Sequence, residues 1–203
     1  MTKVCILNYG SGNVQSVKNA LDRLEINSMI SNDSDTVRNS SHIILPGVGA
    51  FGPAMKRIQE LLPLKTIEDQ VSNHKKPYLG ICVGMQVLAE KGYEHGIHKG
   101  LGWLGECEVI ENTKHLRQPH IGWNSLSITK KSPILDHIED ESDFYFVHSY
   151  IMNGVSDSYV IGETDYGKKF PSVISKENIF GVQFHPEKSQ ESGLRLLRNF
   201  CSL

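Results

Sequence analysis

Two short segments of this chain carry side chains of the kinds and spacings that could do covalent chemistry. In Gly80-Ile81-Cys82-Val83-Gly84 a cysteine stands between glycines, after the apolar Pro77-Tyr78-Leu79 and before Met85-Gln86-Val87-Leu88-Ala89-Glu90, which reads as helix. A strand-to-helix turn of this type holds a nucleophile clear of a sheet, and its tightness calls for glycine on either side. At a helix start a thiol also faces unpaired N–H groups and the positive end of the helix dipole, which favour thiolate. The same pattern also fits a small buried hydrophobe, the usual fate of a free cysteine. The second segment is Phe180-Gly181-Val182-Gln183-Phe184-His185-Pro186-Glu187. Here a histidine closes an apolar strand, a proline keeps the backbone extended, and Glu187 points the same way two residues on. A carboxylate so placed fixes the imidazole tautomer and stabilises the imidazolium. Taken alone, His-Pro-Glu also describes a turn histidine and a surface glutamate.

Acyl transfer from a thiolate needs a base that later acts as acid, a group that orients it, and N–H donors for the developing oxyanion. The N–H of Val83 directly follows the nucleophile, and the glycine-rich Pro46-Gly47-Val48-Gly49 supplies a second candidate donor. Six of the nine histidines, His42, His74, His95, His98, His115 and His137, read as solvent-exposed. His185 stands apart from them.

Positioning these groups requires a sheet. The first half alternates strand and helix: strands at Val4–Leu7, Ser28–Ile30, Ile43–Leu45 and Tyr78–Ile81, with helices at 14–24, 52–61 and 64–73. Val14, Val17, Leu21 and Leu24 fall on one face of the first helix. This order indicates the doubly wound α/β class, with a mostly parallel sheet covered on both faces. From about Trp103 the texture changes to short strands: 106–110, 125–128, 144–151, 159–163, 172–174 and 179–183. Turn signals such as Asn153-Gly154 separate them, and a last helix through Leu194, Leu197 and Phe200 returns to the sheet. No linker interrupts the chain, so residues 1–203 read as one domain.

In open α/β sheets ligands bind at the carboxyl ends of the strands. Three loops there carry chemistry: Asn8-Tyr9-Gly10-Ser11-Gly12-Asn13, Pro46–Phe51 and the Cys82 turn. The first has G-x-G without the rest of a dinucleotide fingerprint, and no Walker loop occurs.

The chain has 203 residues, 39% hydrophobic and 22% charged, with a formal charge of −2, which is ordinary for a globular protein and gives no footprint for nucleic acid. No apolar run approaches the ~18–20 residues of a membrane span, and the start reads as a strand, not a signal peptide. The four cysteines, Cys5, Cys82, Cys107 and Cys201, are scattered without metal spacing, which points to reduced thiols in a cytoplasmic protein.

With these residues in place, the chain resembles the class I, or triad, glutamine amidotransferases. Gly80-Ile81-Cys82-Val83-Gly84-Met85-Gln86 is similar to their G-x-C-x-G-x-Q elbow and His185-Pro186-Glu187 to their H-P-E. Within that family it is most similar to the glutaminase subunits of imidazole glycerol phosphate synthase, through Asn8-Tyr9-Gly-x-Gly-Asn13, Pro46–Phe51, Gly122-Trp123-Asn124 and Pro186-Glu187-Lys188-Ser189. The resemblance implies Cys82, His185 and Glu187 as the triad. It implies glutamine held by Gly47, Val48, Gly49, Val83, Gln86, Glu94, His148, Ser149 and Tyr150. It implies no cofactor and no metal, and ammonia passed to a synthase (cyclase) subunit faced by Asn13, Trp123 and Lys188. A paralogue feeding a sugar-amidating synthase, a cysteine peptidase or esterase, and a non-catalytic interaction subunit are the rival readings.

Overall fold

Strand β1 (Val4–Leu7) is buried at all four positions. Successive side chains of a strand point to opposite faces, so burial without alternation means that both faces are covered. The same holds for β3 (His42–Gly47) and β4 (Tyr78–Cys82). A computed structural model describes residues 2–10, 13–112 and 116–203; Ser11, Gly12 and His115, read above as loop and surface residues, lie outside the described residues.

The remaining strands are β2 (Ser28–Ser31), β5 (Lys91–Gly92), β6 (His98–Lys99), β7 (Glu108–Glu111), β8 (His120–Ile128), β9 (Ser142–His148), β10 (Tyr150–Asn153), β11 (Val160–Asp165), β12 (Lys169–Lys176) and β13 (Ile179–Val182). The helices are α1 (Val14–Arg23), α2 (Ser34–Asn39), α3 (Phe51–Leu61), α4 (Leu64–Ser72), α5 (Val83–Gln86) and α6 (Gln190–Phe200). The large sheet runs β2-β1-β3-β4-β13-β12-β11-β8-β9. Its first five strands are parallel and the extension from β12 onward is antiparallel. A second sheet, β10-β7-β5-β6, was not foreseen, because two of its strands are only two residues long.

Helix α1 buries Val17, Ala20 and Leu21 and packs against α6, which buries Leu194, Leu196, Leu197 and Phe200. Helix α2 was missed by periodicity. It has six residues and is started by the Asp33 carboxylate, which accepts from the Thr36 N–H at 2.8 Å.

Four expectations are corrected. The helix expected over Met85–Glu90 is the single turn Val83–Gln86. Val87, Leu88 and Ala89 have no exposed surface, so no apolar stripe could mark a helix, and their carbonyls accept from the N–H groups of Leu101, Leu104 and Gly102 rather than from a further helical turn. The strand expected over 144–151 is two strands, β9 in the large sheet and β10 in the small one, divided at Ser149. The backbone does not stay extended through Glu187, since Pro186–Lys188 forms a 3-10 turn. His42, read as exposed, is buried edge-on to Phe200 with Nδ1 at 2.8 Å from the Ser41 hydroxyl.

Candidate active site

The elbow at Cys82 is strained, with φ +55° and ψ −111° in a residue other than glycine. Such conformations cost about 1–3 kcal/mol and persist where the surroundings enforce them. Here a methyl group on Gly84 would overlap the Leu45 carbonyl oxygen, and one on Gly80 would overlap the Gly84 carbonyl. The two glycines therefore let β4 turn directly into α5 beneath β3. Register then fixes the neighbours: Gly47 lies beside Cys82 on β3, and Val182 lies beside Ile81 on β13. The end of β13 thus delivers Gln183 and His185 to the thiol.

His185 is 1% exposed, and its backbone N–H donates to the Tyr145 carbonyl at 2.9 Å. The Ser189 hydroxyl donates to the His185 carbonyl at 2.7 Å and accepts from the Tyr145 N–H at 3.0 Å. Strand β9 thereby clamps the turn. On the ring, Nδ1 lies 2.8 Å from Glu187 Oε1, which leaves Nε2 to face the Cys82 sulfur. Burial works against the imidazolium, but the Cys82 sulfur and then the Glu187 carboxylate outweigh it and raise His185 to about 10. The other three cysteines are plain buried thiols. Burial pushes Cys5 up to about 11 and Cys201 to about 12, and raises Cys107.

Beside Cys82 opens a cavity of about 220 Å³. That is below the roughly 300–1,000 Å³ of sites for drug-sized ligands and suits one small metabolite. Val48 and Gly49 form one wall, Gln86 and Glu94 another, and Val147, His148, Ser149 and Tyr150 a third, with Pro119, Val83, His185 and Lys188 completing it.

This geometry agrees with the company the chain keeps. Residues 5–202 match the family Glutamine amidotransferase class-I. The chain is 45% identical to "Imidazole glycerol phosphate synthase subunit HisH" of Aquifex aeolicus (98% of this chain, 95% of that one). It is 42% identical to "Imidazole glycerol phosphate synthase subunit HisH 1" of Campylobacter jejuni (98% and 100%), and 43% identical to the HisH subunit of Methanocaldococcus jannaschii (98% and 98%). The chain belongs to the class-I glutamine amidotransferases. Solved structures share the fold of this amidotransferase at low identity: PurLQS from Thermotoga maritima (TM-score 0.77, 17% identity, 99% and 98% covered) and a glutamine amidotransferase (0.74, 21%, 98% and 97%).

The structure places the other expected site residues of the amidotransferase as follows. Glu94 Oε2 accepts the Phe51 N–H at 2.8 Å, so this carboxylate both starts α3 and faces the cavity. Gln86 is buried, and its Nε2 donates to the Tyr150 carbonyl at 2.9 Å and to Gln183 Oε1 at 3.1 Å. Both amide protons are used, so Gln86 offers the cavity an acceptor. Trp123 is 48% exposed and edge-on to Tyr145, and Lys188 is exposed at the cavity rim.

Asn13 is a correction. It was expected at a partner surface, yet it is 5% exposed, with Nδ2 donating to Glu187 Oε1 and lying 3.3 Å from His185 Nδ1. The start of α1 therefore brings it behind the imidazole.

Sequence reasoning missed Gln183 and His120. Gln183 is fully buried with Nε2 3.8 Å from Cys82 Sγ; its signal was a polar residue inside an apolar strand, two positions before His185. His120 lies with Nδ1 3.0 Å from His148 Nε2, and His148 Nδ1 donates to the Tyr150 carbonyl at 3.1 Å. Asn124 Nδ2 approaches His120 Nε2 at 3.3 Å, which completes a chain of neutral imidazoles. Burial holds His120 down at about 4, and burial with the neighbouring His120 holds His148 at about 3.

Proposed function

We propose that the chain is the glutaminase subunit of an imidazole glycerol phosphate synthase. In this reading the Cys82 thiolate attacks the glutamine side-chain amide. The oxyanion is held by the Val83 N–H and the Val48–Gly49 loop, with Gly47 setting that loop beside the sulfur. His185 protonates the leaving nitrogen, oriented by Glu187, and ammonia departs. His185 then activates a water that cleaves the γ-glutamyl thioester, restoring the thiol and releasing glutamate. Gln86 accepts from the substrate's N–H groups, the free oxygen of Glu94 pairs with its ammonium, and the His148-Ser149-Tyr150 segment closes the far wall. The released ammonia passes to a synthase (cyclase) subunit docked on the face carrying Trp123 and Lys188. The residues 1–203 act as one amidotransferase domain, and four unpaired cysteines suit a reducing cytoplasm.

The observation that carries this reading is the convergence of Cys82, His185 and Glu187 at the ends of two adjacent parallel strands, beside a cavity for a single amino acid. Co-expression with the synthase subunit tests it. Glutamine hydrolysis by the complex falls about 10⁴-fold or more in Cys82→Ser, and the native gene restores growth of a histidine auxotroph lacking its own glutaminase subunit. Full hydrolysis by Cys82→Ser would overturn the nucleophile, and failed complementation by an active enzyme would overturn the recipient.

A further inference from the structure

The two buried glutamines at the elbow form a directional relay. A backbone carbonyl can only accept, so the Gln86 atom 2.9 Å from the Tyr150 oxygen must be its nitrogen. Its other proton goes to Gln183, 3.1 Å away, which fixes that atom as the Gln183 oxygen. The Gln183 nitrogen is then left on the side of Cys82, 3.8 Å from Sγ. The Tyr150 carbonyl is itself held by His148 Nδ1, so the polarity is set from outside the elbow. In the thiol form the Cys82 S–H points to the Val147 carbonyl at 3.8 Å, a contact that serves only the neutral sulfur.

From this geometry we infer that Gln183 is a further catalytic residue, whose side-chain N–H hydrogen-bonds the Cys82 sulfur and stabilises its thiolate. The inference rests on Cys82 being the nucleophile. When the S–H bond breaks, its proton passes to His185 Nε2 and the electron pair stays on sulfur, where the Gln183 N–H and the imidazolium both meet it. The Val147 carbonyl loses its donor in the same step. Gln183 is thus the neutral member of the thiolate's hydrogen-bonding shell and His185 the charged one. The other titratable groups facing the sulfur's surroundings are Glu187 behind His185, His148 at the end of β9, Tyr150 beside it at the start of β10, Glu94 across the cavity and Lys188 at its rim.

The test is the pH dependence of Cys82 alkylation by iodoacetamide in the full chain, with Cys82→Ser subtracting any reaction at the other cysteines. Gln183→Met keeps the length of the side chain and removes the N–H. The midpoint for alkylation rises by about one to two pH units in this variant. Its limiting rate at high pH stays at or above the native value, since a thiolate of higher pKa is the better nucleophile. The kcat/KM for glutamine, measured with the synthase subunit, falls at neutral pH and recovers toward the new midpoint. Should Gln183→Met not fold, nitrogen NMR of the native chain takes its place. The Gln183 side-chain amide shifts with the Cys82 midpoint, and it stays still in Cys82→Ser. An unchanged midpoint, or an amide blind to the titration, overturns the role of Gln183 while leaving a reactive Cys82 intact. A native Cys82 that resists alkylation at every pH overturns the nucleophile and the relay together.

Discussion

The Glu187 side chain has no exposed surface, so the few groups that touch it decide where its charge sits. Asn13 and His185 share its Oε1. Removing Asn13 leaves the carboxylate free to rotate away from the imidazole. Asn13→Leu should therefore lower kcat about 10- to 100-fold, as expected for losing a hydrogen bond to a charged group, and leave the KM for glutamine nearly unchanged. Steady-state kinetics of the complex decide it, and a change confined to KM would contradict it. The buried imidazoles carry a different consequence. His120 and His148 are held at about 4 and about 3, against an ordinary 6.5, so the unfolded chain binds their protons first as pH falls. Their contribution is fully present above 6.5 and is lost as pH drops toward 4 and 3, amounting to at most about 2 kcal/mol for each histidine at pH 5. Urea unfolding at pH 7.5 and pH 5 measures this loss. His120→Phe, whose ring can stack between Phe146 and Tyr166 as the imidazole does, should roughly halve it. His185 works in the opposite sense. Its raised value supplies stability that is complete below 6.5 and lost as pH rises through about 10, and Cys82→Ser removes most of that dependence.

Among the elements, the turn from β4 to α5 tolerates the least change. Gly84→Ala drives a methyl into the Leu45 carbonyl, which belongs to the neighbouring strand and cannot swing aside. A loss of about 3 kcal/mol or more is expected, a fall in melting temperature of roughly 6–12 °C. Gly49→Ala meets open space and carries only the strain of φ +93°, about 1–2 kcal/mol. Thermal unfolding of the pair separates overlap from strain, and equal losses would show that the elbow is not uniquely crowded. These elements also show what a sequence can disclose. The Cys82 elbow was legible because its glycines answer to local geometry. The short helix after it was not, because Val87–Ala89 are buried on every side and leave no periodicity to read. The segment Phe144–Ile151 looked like one strand, since no glycine, proline or other turn signal interrupts it, yet the two halves belong to different sheets. Asn13 and Gln183 were opaque in the same way. Their partners lie 172 and 101 positions away, and nothing local distinguishes an orienting amide from a surface one.

On the scale of the whole molecule, the parallel half positions the triad, and the end of β9 with the start of β10 supplies a wall of the cavity beside it. Strands β8 and β9 bring Trp123 and Tyr145 together outside the cavity, where nearly half of the indole remains open to solvent. An aromatic residue at the centre of a docking face commonly contributes 2 kcal/mol or more to binding. Trp123→Ala should weaken association with the synthase subunit by about 30-fold or more, while the melting temperature of the free chain barely moves. Calorimetric titration reads the affinity, and an unchanged value would remove Trp123 from the interface. The sheet order has a last consequence, for synthesis on the ribosome. Strand β13 is the final strand in chain order, yet it sits at the centre of the sheet, between β4 and β12. Until residues 179–182 emerge, β4 ends the nascent parallel sheet as a bare edge, and the thiol at its tip has no imidazole beside it. Exposed edges invite pairing with other chains, and non-local closure of this kind is slow. The thiol of Cys82 is thus made well before His185, the imidazole that completes it. A chaperone that shields β4 should therefore raise the yield of active protein.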